Sequence, residues 1–321
     1  MFIGVTLIIF TITHVVPADP ARVAAGLNAP EEQVERLREE MGLNDPLLTQ
    51  YTNYINNLFK GDMGRSMLTR TPVVDQLKTF LPATLELVIL AALIFLSIGT
   101  LFGIFAGVSH SKWGVFGSRM VSFLGMAIPV FWLALMIQII VSENLYGILP
   151  LGGRLPTGYS APNNITGFYT IDSILAGDFK TFLITIKHLI LPAITLAVGR
   201  LGATARFVSS EMKEVMKQDY IKTAQAKGSS KFKVIFKHAF KNAMIPVLTM
   251  SGLQFGWMLG STVLAESIFS WPGIGRYAWR SIVSLDFLPI MGVTLVMSMT
   301  FIIINIIVDV LYGLLDPRIT L

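Results

Sequence analysis

The chain has 321 residues, of which 53% are hydrophobic and only 14% are charged, and its mean hydropathy is +0.64. Because roughly a quarter of the residues of a soluble domain are charged, this composition excludes an ordinary soluble protein and indicates several membrane spans. The net charge of +5 could suggest a nucleic-acid partner, but cations beside membrane spans usually report orientation and lipid headgroups, so we expect membrane lipid and no nucleic acid.

The N-terminal apolar segment, residues 1–16, is the first candidate span. It is short for a hydrocarbon core of about 30 Å, and no Lys/Arg cluster precedes it. A signal peptide is the alternative interpretation, but that also needs a charged start. We expect a genuine first transmembrane helix whose beginning is missing or mis-assigned.

Residues 17–82 follow as a segment predicted to be helical in parts. Glu31 to Met41 should form a helix, because two acids stand in its first turn and Gly42 ends it. Beyond it, apolar stretches of about 20 residues predict an all-α core within residues 83–316. The five predicted spans are 84–107, 119–142, 188–208, 244–265 and 288–313. Pro129 and Pro192 are expected to kink the second and third of these, and a short surface helix is expected near 171–183.

Orientation follows from the loop charges. Residues 206–241 carry nine cations against three acids, whereas the 143–187 connection is balanced. The positive-inside rule therefore predicts that the basic loop is cytoplasmic and that 17–82 is external. The nine cations are Arg206, Lys213, Lys217, Lys222, Lys227, Lys231, Lys233, Lys237 and Lys241.

The basic loop, residues 209–243, reads as two helices joined by a tight turn. We predict one helix from Glu211 to Lys227, ended by Gly228, and a second helix capped by Ser229-Ser230. The apolar face of the first carries Met212, Met216, Tyr220 and Ala224. The stripe of the second carries Phe232, Ile235, Phe236, Ala239, Phe240 and Ala243, before Asn242 and Pro246 mark the entry to the next span.

Two interpretations of this loop remain open. An amphipathic helix could lie on anionic lipid with its lysines toward the headgroups. The tight turn favours a second interpretation, in which the small residues Thr223, Ala224 and Ala226 form a tip that fits a cleft on a partner.

The loop resembles the cytoplasmic "EAA" loop of ABC-importer permeases. Lys222-Thr223-Ala224 falls on E-A-A and Gly228 on the motif glycine, while the proline arrives late, at Pro246. The departures resemble the peptide-transporter branch, which reads DY-x-x-T-A-x-A-K-G followed by H-A-x-x-N-A-x-x-P. The residues that fit this branch are Asp219, Tyr220, Thr223, Ala224, Ala226, Lys227, Gly228, His238, Ala239, Asn242, Ala243 and Pro246.

Four further segments resemble the B-type permease subunit of dipeptide/oligopeptide ABC importers. They are Pro17-Ala-Asp-Pro20, Gly61-Asp-Met-Gly-Arg-Ser66 with Pro72-Val73, Ile268-Phe269 with Pro272-Gly273-Ile274-Gly275-Arg276, and Leu314-Leu-Asp-Pro-Arg-Ile319. The resemblance therefore covers most of the chain.

This resemblance implies a six-span subunit of a bacterial or archaeal inner membrane, paired with a homologous second permease around a translocation path. It implies two ATP-binding subunits that hold ATP and Mg, and an extracytoplasmic substrate-binding protein. Coupling to the ATPase is then expected at Asp219, Tyr220, Lys222, Thr223, Ala224, Lys227 and Gly228.

Two spans carry glycines four residues apart, a spacing that lets neighbouring backbones approach closely. They are Gly99, Gly103 and Gly107, and Gly252, Gly256 and Gly260. We expect helix packing within the subunit, with a narrow gate between moving helices as the alternative.

The spans hold few ionisable residues: Glu86 and Asp309 near predicted ends and Arg200 midway. Ion-coupled carriers need intramembrane charges, so an ion-coupled secondary transporter is a poor fit. The sequence has no G-x-x-x-x-G-K-[ST] run, so ATP must be hydrolysed by a partner. Without cysteine and with four scattered histidines (His14, His110, His188 and His238), no metal or cofactor site is expected in this chain.

The segment Trp271-Pro-Gly-Ile-Gly275, just past the fourth of the five core spans, has two interpretations. It could be an interfacial aromatic anchor followed by a turn. The resemblance instead implies an external gate that meets the binding protein, formed by Glu266, Trp271, Pro272, Gly273, Gly275 and Arg276.

We therefore expect a transport subunit, not an enzyme, that takes up dipeptides or oligopeptides. Nickel chelates, glutathione and oligosaccharides are alternative substrates within the same branch. A membrane scaffold or insertase, which has no substrate path, is the alternative outside the transporters.

Overall fold

The computed structural model describes residues 2–15, 19–26, 28–109, 112–144 and 147–315. The regular secondary structure of these residues is helical with no β-strand, apart from one isolated bridge between Arg65 and Pro72. They fall into two compact units: unit 1 comprises Met1–Thr84 and Pro272–Thr300, and unit 2 comprises Leu85–Trp271 and Phe301–Leu321. The all-α, multi-span fold expected from the sequence is confirmed.

Unit 1 contains short helices and the first parts of two long helices. Two apolar clusters hold it together, one around Phe10 and Met291 and one around Val73 and Ile274. Its helices are α1 (Phe2–Val15), α2 (Pro20–Ala25), α3 (Glu31–Glu40), α4 (Leu47–Phe59), the start of α5 (Val73–Val108), α12 (Ile274–Val283) and the start of α13 (Phe287–Leu315).

The motif Gly61-Asp-Met-Gly-Arg-Ser66 is a turn anchored on a buried carboxylate. The Ser66 hydroxyl donates to Asp286 Oδ2 at 2.6 Å, and the Met67 and Leu68 amides donate to the same carboxylate, each at 3.2 Å. Gly64 has φ +77 and lies against Leu288, so a larger residue would be strained and crowded there. The α12–α13 turn thus holds this motif in unit 1.

Unit 2 is a bundle of long helices. Besides the remainder of α5 and the end of α13, its helices are α6 (Lys112–Ala127), α7 (Val130–Asn144), α8 (Tyr169–Leu175), α9 (Phe179–Met216), α10 (Asp219–Ala226) and α11 (Lys231–Ile268), the last with a π-helical stretch at Val234–Phe240. Helix α9 packs against α6, α7, α8 and α11, which makes it the central helix of this unit.

Four helices of the described chain are long and apolar enough to span a membrane: α5, α9, α11 and α13. A fifth span results if α6 and α7 count as one, and α1 is a shorter apolar helix at the position of the predicted first span. The helices extend beyond the predicted spans, because their ends continue into polar sequence: α5 begins at Val73 rather than near residue 84, and α9 begins at Phe179.

The two predicted proline kinks have different outcomes. The expected span 119–142 is broken at Pro129 into α6 and α7, which are bent by 102°, so one kinked helix was the wrong description. The pair is a broken span or a re-entrant loop. By contrast, α9 runs unbroken through Pro192. The surface helix expected near 171–183 is the shorter α8, because Gly177 (φ +69) separates it from α9.

Candidate functional site

The predicted helix Glu211–Lys227 is two helices, so that prediction was wrong. Helix α9 ends at Met216, and α10 starts anew at Asp219 after a turn at Lys217-Gln218. The break changes which residues point inward. Ile221, not Tyr220, is the fully buried residue of α10, whereas Tyr220 is 44% exposed.

Ile221 attaches α10 to an apolar cluster that joins the basic loop to the spans. The cluster contains Ile104 from α5, Val208 and Met212 from α9, and Ala243 and Val247 from α11, with Ala224 packed at its edge. These shared side chains connect α10 with three long helices, α5, α9 and α11. Burial of the Tyr220 ring raises the pKa of its hydroxyl, and a hydrogen bond with Asn242 opposes that shift.

Gly228 ends α10 as predicted. It has φ +75, its amide donates to Gln225 O at 2.9 Å, and the Ser229 amide donates to Ala224 O at 3.1 Å. This pair of hydrogen bonds is the Schellman motif, in which glycine avoids the steric cost of the left-handed conformation. The predicted cap of the next helix is also confirmed, because the Ser230 hydroxyl accepts from the Lys233 amide at 3.4 Å.

The second predicted loop helix is not separate from the following span. Helix α11 runs continuously from Lys231 to Ile268, and Pro246 lies inside it. Its π-helical stretch, Val234–Phe240, widens the helix where the predicted apolar stripe begins. Of that stripe, Ile235, Ala239 and Ala243 are buried, whereas Phe232 and Phe236 are exposed. The ring centres of these two phenylalanines lie 4.6 Å apart, with the rings tilted by 34°.

The outer surface of α10 is polar, and the side-chain contacts on it are local to the helix. Lys222 donates to Asp219 at 2.8 Å, and the Thr223 hydroxyl donates to the Asp219 carbonyl at 2.9 Å. Both charged side chains of this pair are largely exposed, so the pair adds little stability. Together with exposed Lys227, these residues leave α10 presenting charges and short side chains outward.

The glycines of α5 lie against α9. A Cβ on Gly99 would be 3.0 Å from Thr204 Cβ, one on Gly103 would be 2.5 Å from Val208 Cβ, and one on Gly107 would be 2.6 Å from Met212 Cβ. The two helices therefore approach too closely for any larger residue.

The glycines of α11 differ in how closely other side chains pack against them. Gly252 lies beside Asn305 and Val308 of α13, and a Cβ on Gly256 would meet the Phe301 ring at 2.3 Å. Gly260 has nothing within 4 Å. Gly256 and Gly260 line a small depression beside the exposed Trp257.

Trp271 is fully buried in unit 2, so an exposed interfacial anchor was the wrong alternative for this residue. Its amide donates to the carbonyl of Glu266 at 2.8 Å, and the Glu266 side chain is also fully buried. The Arg154 guanidinium lies 5.8 Å from the centre of the Trp271 ring.

Pro272, Gly273, Gly275 and Arg276 belong to unit 1, where they form the start of α12. Gly273 is the N-cap of this helix and Gly275 is buried within its first turn. The Ile274 amide donates to the Thr84 hydroxyl at 2.8 Å. Burial lowers the pKa of Arg276, and the neighbouring Arg280 lowers it further.

Sequence reasoning missed a buried ion pair in unit 2. Glu86, expected near the end of a span, lies well inside α5 and is bound by Arg154 at 2.6 Å. The two residues are 68 positions apart, and no motif links them. Only the isolated position of Glu86 in an apolar stretch could have indicated that it needs a partner.

Two ionisable residues of α9 have polar partners in unit 2. His188 Nδ1 lies 3.1 Å from both the Gly152 and the Gly153 carbonyl oxygens. Arg200 donates to Gln254 at 3.3 Å. His110 lies outside the described residues. In the described part of the chain, no three His, Asp or Glu side chains come together as metal ligands.

Known proteins resemble the chain along its full length. Residues 99–321 match the family described as binding-protein-dependent transport system inner membrane component, and residues 1–88 match the N-terminal region described for such membrane components. The probable D,D-dipeptide transport system permease protein DdpB of Escherichia coli K12 is 42% identical over 316 residues, which is 98% of this chain and 93% of the relative.

Two other relatives are similarly close. The dipeptide transport system permease protein DppB of Alkalihalophilus pseudofirmus is 42% identical over 319 residues, covering 99% of this chain and 95% of the relative. The di/tripeptide transport system permease protein DppB of Pseudomonas aeruginosa is 41% identical over 320 residues, covering 99% and 94%. With its apolar helices, the chain therefore belongs to the family of inner-membrane components of binding-protein-dependent transport systems.

Proposed function

We propose that this chain is the permease subunit of an ATP-driven importer that takes up dipeptides or oligopeptides delivered by a binding protein. The observation that carries the coupling part of this proposal is the placement of α10. It presents a polar outer surface, ends in a fixed Schellman turn at Gly228, and is joined through Ile221 to three long helices.

In this proposal α10 seats in a groove of a cytoplasmic ATP-binding subunit. Asp219, Lys222 and Lys227 supply polar contacts at its surface, and Thr223 and Ala224 keep it narrow. Closure of the ATPase on ATP would shift α10, and the shared apolar cluster would pass the shift to α5, α9 and α11. ATP and Mg bind the partner, and this chain performs no bond chemistry.

The peptide substrate is supported by the relatives, whose names specify dipeptides, D,D-dipeptides or di- and tripeptides. Their similarity extends over nearly the whole chain, so it includes every span that could border a path. The proposed importer pairs this subunit with a second permease and two ATP-binding subunits. The basic loop is cytoplasmic, as its excess of cations favours.

The external gate is part of the same proposal. Glu266 and Trp271 in unit 2, and Pro272, Gly273, Gly275 and Arg276 in unit 1, would respond to the binding protein on the outer side. The burial of Glu266 and Trp271 supports a role inside a closed gate rather than on its outer surface.

The test is uptake of a labelled dipeptide by the complete transporter in proteoliposomes, with ATP hydrolysis measured in parallel. Gly228→Val places a β-branched residue at φ +75, and Ala224→Glu puts a charge at the edge of the apolar cluster. We expect both variants to insert normally but to lose more than about 90% of uptake, because α10 no longer couples the ATPase to the spans.

The matched control is Lys60→Gln, an exposed residue in unit 1, which should leave uptake unchanged. Normal uptake by both loop variants would refute the docking role of α10. Uptake that needs an ion gradient and no ATP would instead establish a secondary transporter.

A further inference from the structure

A cavity of about 750 Å³ lies within unit 2, between α5, α6 and α9. Three cationic side chains line it: Arg119 from α6, and Arg206 and Lys213 from α9. Arg206 and Lys213 are two helical turns apart on one face of α9, about 10 Å along its axis. Ser209 and Ser210 lie between them and add hydroxyl donors to the same wall.

The positive charge of this cavity is not compensated. Among the described residues that line it there is no aspartate or glutamate. Within the described ranges, none of Arg119, Arg206 and Lys213 forms an ion pair with an acidic side chain. An anion that entered the cavity would therefore meet up to three cations and no repelling carboxylate.

Apart from Ser122, the remaining lining of the cavity is apolar. Met120, Phe123 and Met126 of α6 are exposed, although each is a large apolar side chain. Val115, Ala106 and Ala205 complete this wall. The cavity thus combines cationic side chains with an apolar wall formed mainly by α6.

The cavity lies beside a close contact between the backbones of α6 and α9. A Cβ on Gly202 would lie 2.3 Å from Ser122 O, and one on Gly125 would lie 2.9 Å from Val198 O. Helices α6 and α9 therefore touch at this crossing. This contact borders the cavity, because Ser122 is also one of the lining residues.

We propose that this cavity binds one anionic phospholipid, with its phosphate on Arg119, Arg206 and Lys213 and its acyl chains along the apolar wall of α6. Basic pockets between membrane helices are suited to anionic headgroups. A zwitterionic peptide fits less well, because its amino group would have no acidic partner here. On the orientation proposed above, the lipid belongs to the cytoplasmic leaflet.

The experiment is native mass spectrometry of the purified, delipidated transporter with added phosphatidylglycerol or phosphatidylcholine. The wild type should retain one phosphatidylglycerol in preference to phosphatidylcholine. Arg206→Gln/Lys213→Gln should weaken that binding roughly 30-fold, and Arg119→Gln about fivefold, since each cation near a lipid headgroup contributes about one fivefold factor. Ser210→Trp, which keeps all three charges but fills the cavity, should also weaken it.

The charge-matched control is Lys60→Gln/Lys180→Gln, which changes two exposed residues that do not line the cavity, and it should bind lipid like the wild type. Equal binding of the two lipids, or unchanged phosphatidylglycerol binding in both the charge and the filling variants, would overturn the proposal. Displacement of the lipid by a saturating dipeptide would also overturn it and assign the cavity to the substrate. Because no uptake is measured, the result is independent of the transported compound.

Discussion

Glu86 of α5 and Arg154 of the 147–178 segment form a buried ion pair in which each carboxylate oxygen accepts two hydrogen bonds. Oε2 accepts from Arg154 Nη2 at 2.6 Å and Nε at 3.1 Å, and Oε1 accepts from the amide and hydroxyl of Thr170, both at 2.7 Å. The guanidinium also donates to Gly167 O at 2.6 Å and lies 3.5 Å from the Tyr169 ring centre. One carboxylate thus holds a long connecting segment on α5.

Removing either partner should be costly. Glu86→Gln or Arg154→Gln leaves an uncompensated buried charge, and we expect a loss of about 3–5 kcal/mol in the free energy of unfolding. Thermal unfolding of the purified complex in detergent measures the effect. Arg36→Gln, which breaks an exposed i,i+4 pair with Glu32, is the control and should cost less than about 1 kcal/mol. Equal effects at the buried and exposed pairs would contradict the anchoring role.

Local chemistry made part of this molecule predictable. The start of α3 at Glu31, the left-handed Gly228 and the Ser230 cap follow from rules that span a few residues. The Glu86–Arg154 pair could not be predicted, because it joins residues 68 apart through a loop without regular structure.

The inward face of α10 was mispredicted for a related reason. Helical spacing counted from Met212 placed Tyr220 on the inward face. The turn at Lys217-Gln218 interrupts that spacing, so Ile221 is the residue of α10 that points inward. Pro129 was correctly identified as disruptive, yet the size of the bend depends on how α6 and α7 pack against α9, which no local rule specifies.

The two neighbouring positions of α10 should therefore respond differently to truncation. Ile221→Ala removes a fully buried side chain from the cluster that joins α10 to the spans, and should cost about 2–5 kcal/mol of stability. Tyr220→Ala changes a half-exposed ring, so stability should change by less than about 1 kcal/mol while coupling to ATP hydrolysis falls. Thermal unfolding and binding-protein-stimulated ATPase activity separate the two effects. Similar loss of stability in both variants would contradict the assigned inward face.

The turn at Ser66 offers a test within unit 1. Asp286→Asn replaces a carboxylate that accepts three hydrogen bonds, from Ser66, Met67 and Leu68. We expect a loss of about 1–3 kcal/mol and faster proteolysis at Arg65 or Arg70. Ser66→Ala should have a smaller effect, because it leaves the hydrogen bonds from the Met67 and Leu68 amides to Asp286 in place. Protease resistance equal to that of the wild type in both variants would show that the carboxylate does not hold this turn.

Asp172 provides a pH-dependent test. Its burial would raise the pKa of the carboxyl, but hydrogen bonds from Thr166, Gly167 and Ile165 outweigh that effect and hold the pKa below its usual value. The carboxylate therefore stabilises the fold above the ordinary Asp pKa of about 3.9, and this stability is lost as the pH falls through the lowered pKa. At pH 6, Asp172→Asn should have a lower free energy of unfolding than the wild type. As the pH falls below 6, this free energy should decrease less in the variant than in the wild type. The exposed Asp75→Asn is the control; an unchanged acid profile in Asp172→Asn would contradict the assignment.

Glycines with the same spacing should differ in their tolerance of a methyl group. Gly103→Ala would place its Cβ 2.5 Å from Val208 Cβ and 2.8 Å from Ala205 O, which forces α5 and α9 apart and should cost about 1–3 kcal/mol. Gly260→Ala meets nothing within 4 Å and should be neutral or slightly stabilising, since alanine favours a helix over glycine by up to about 1 kcal/mol. Thermal unfolding and peptide uptake are measured on both. If Gly260→Ala keeps its stability but loses uptake, the open face at Gly260 contacts a moving helix or a second subunit. If Gly103→Ala is as stable as the wild type, the close packing of α5 on α9 is refuted.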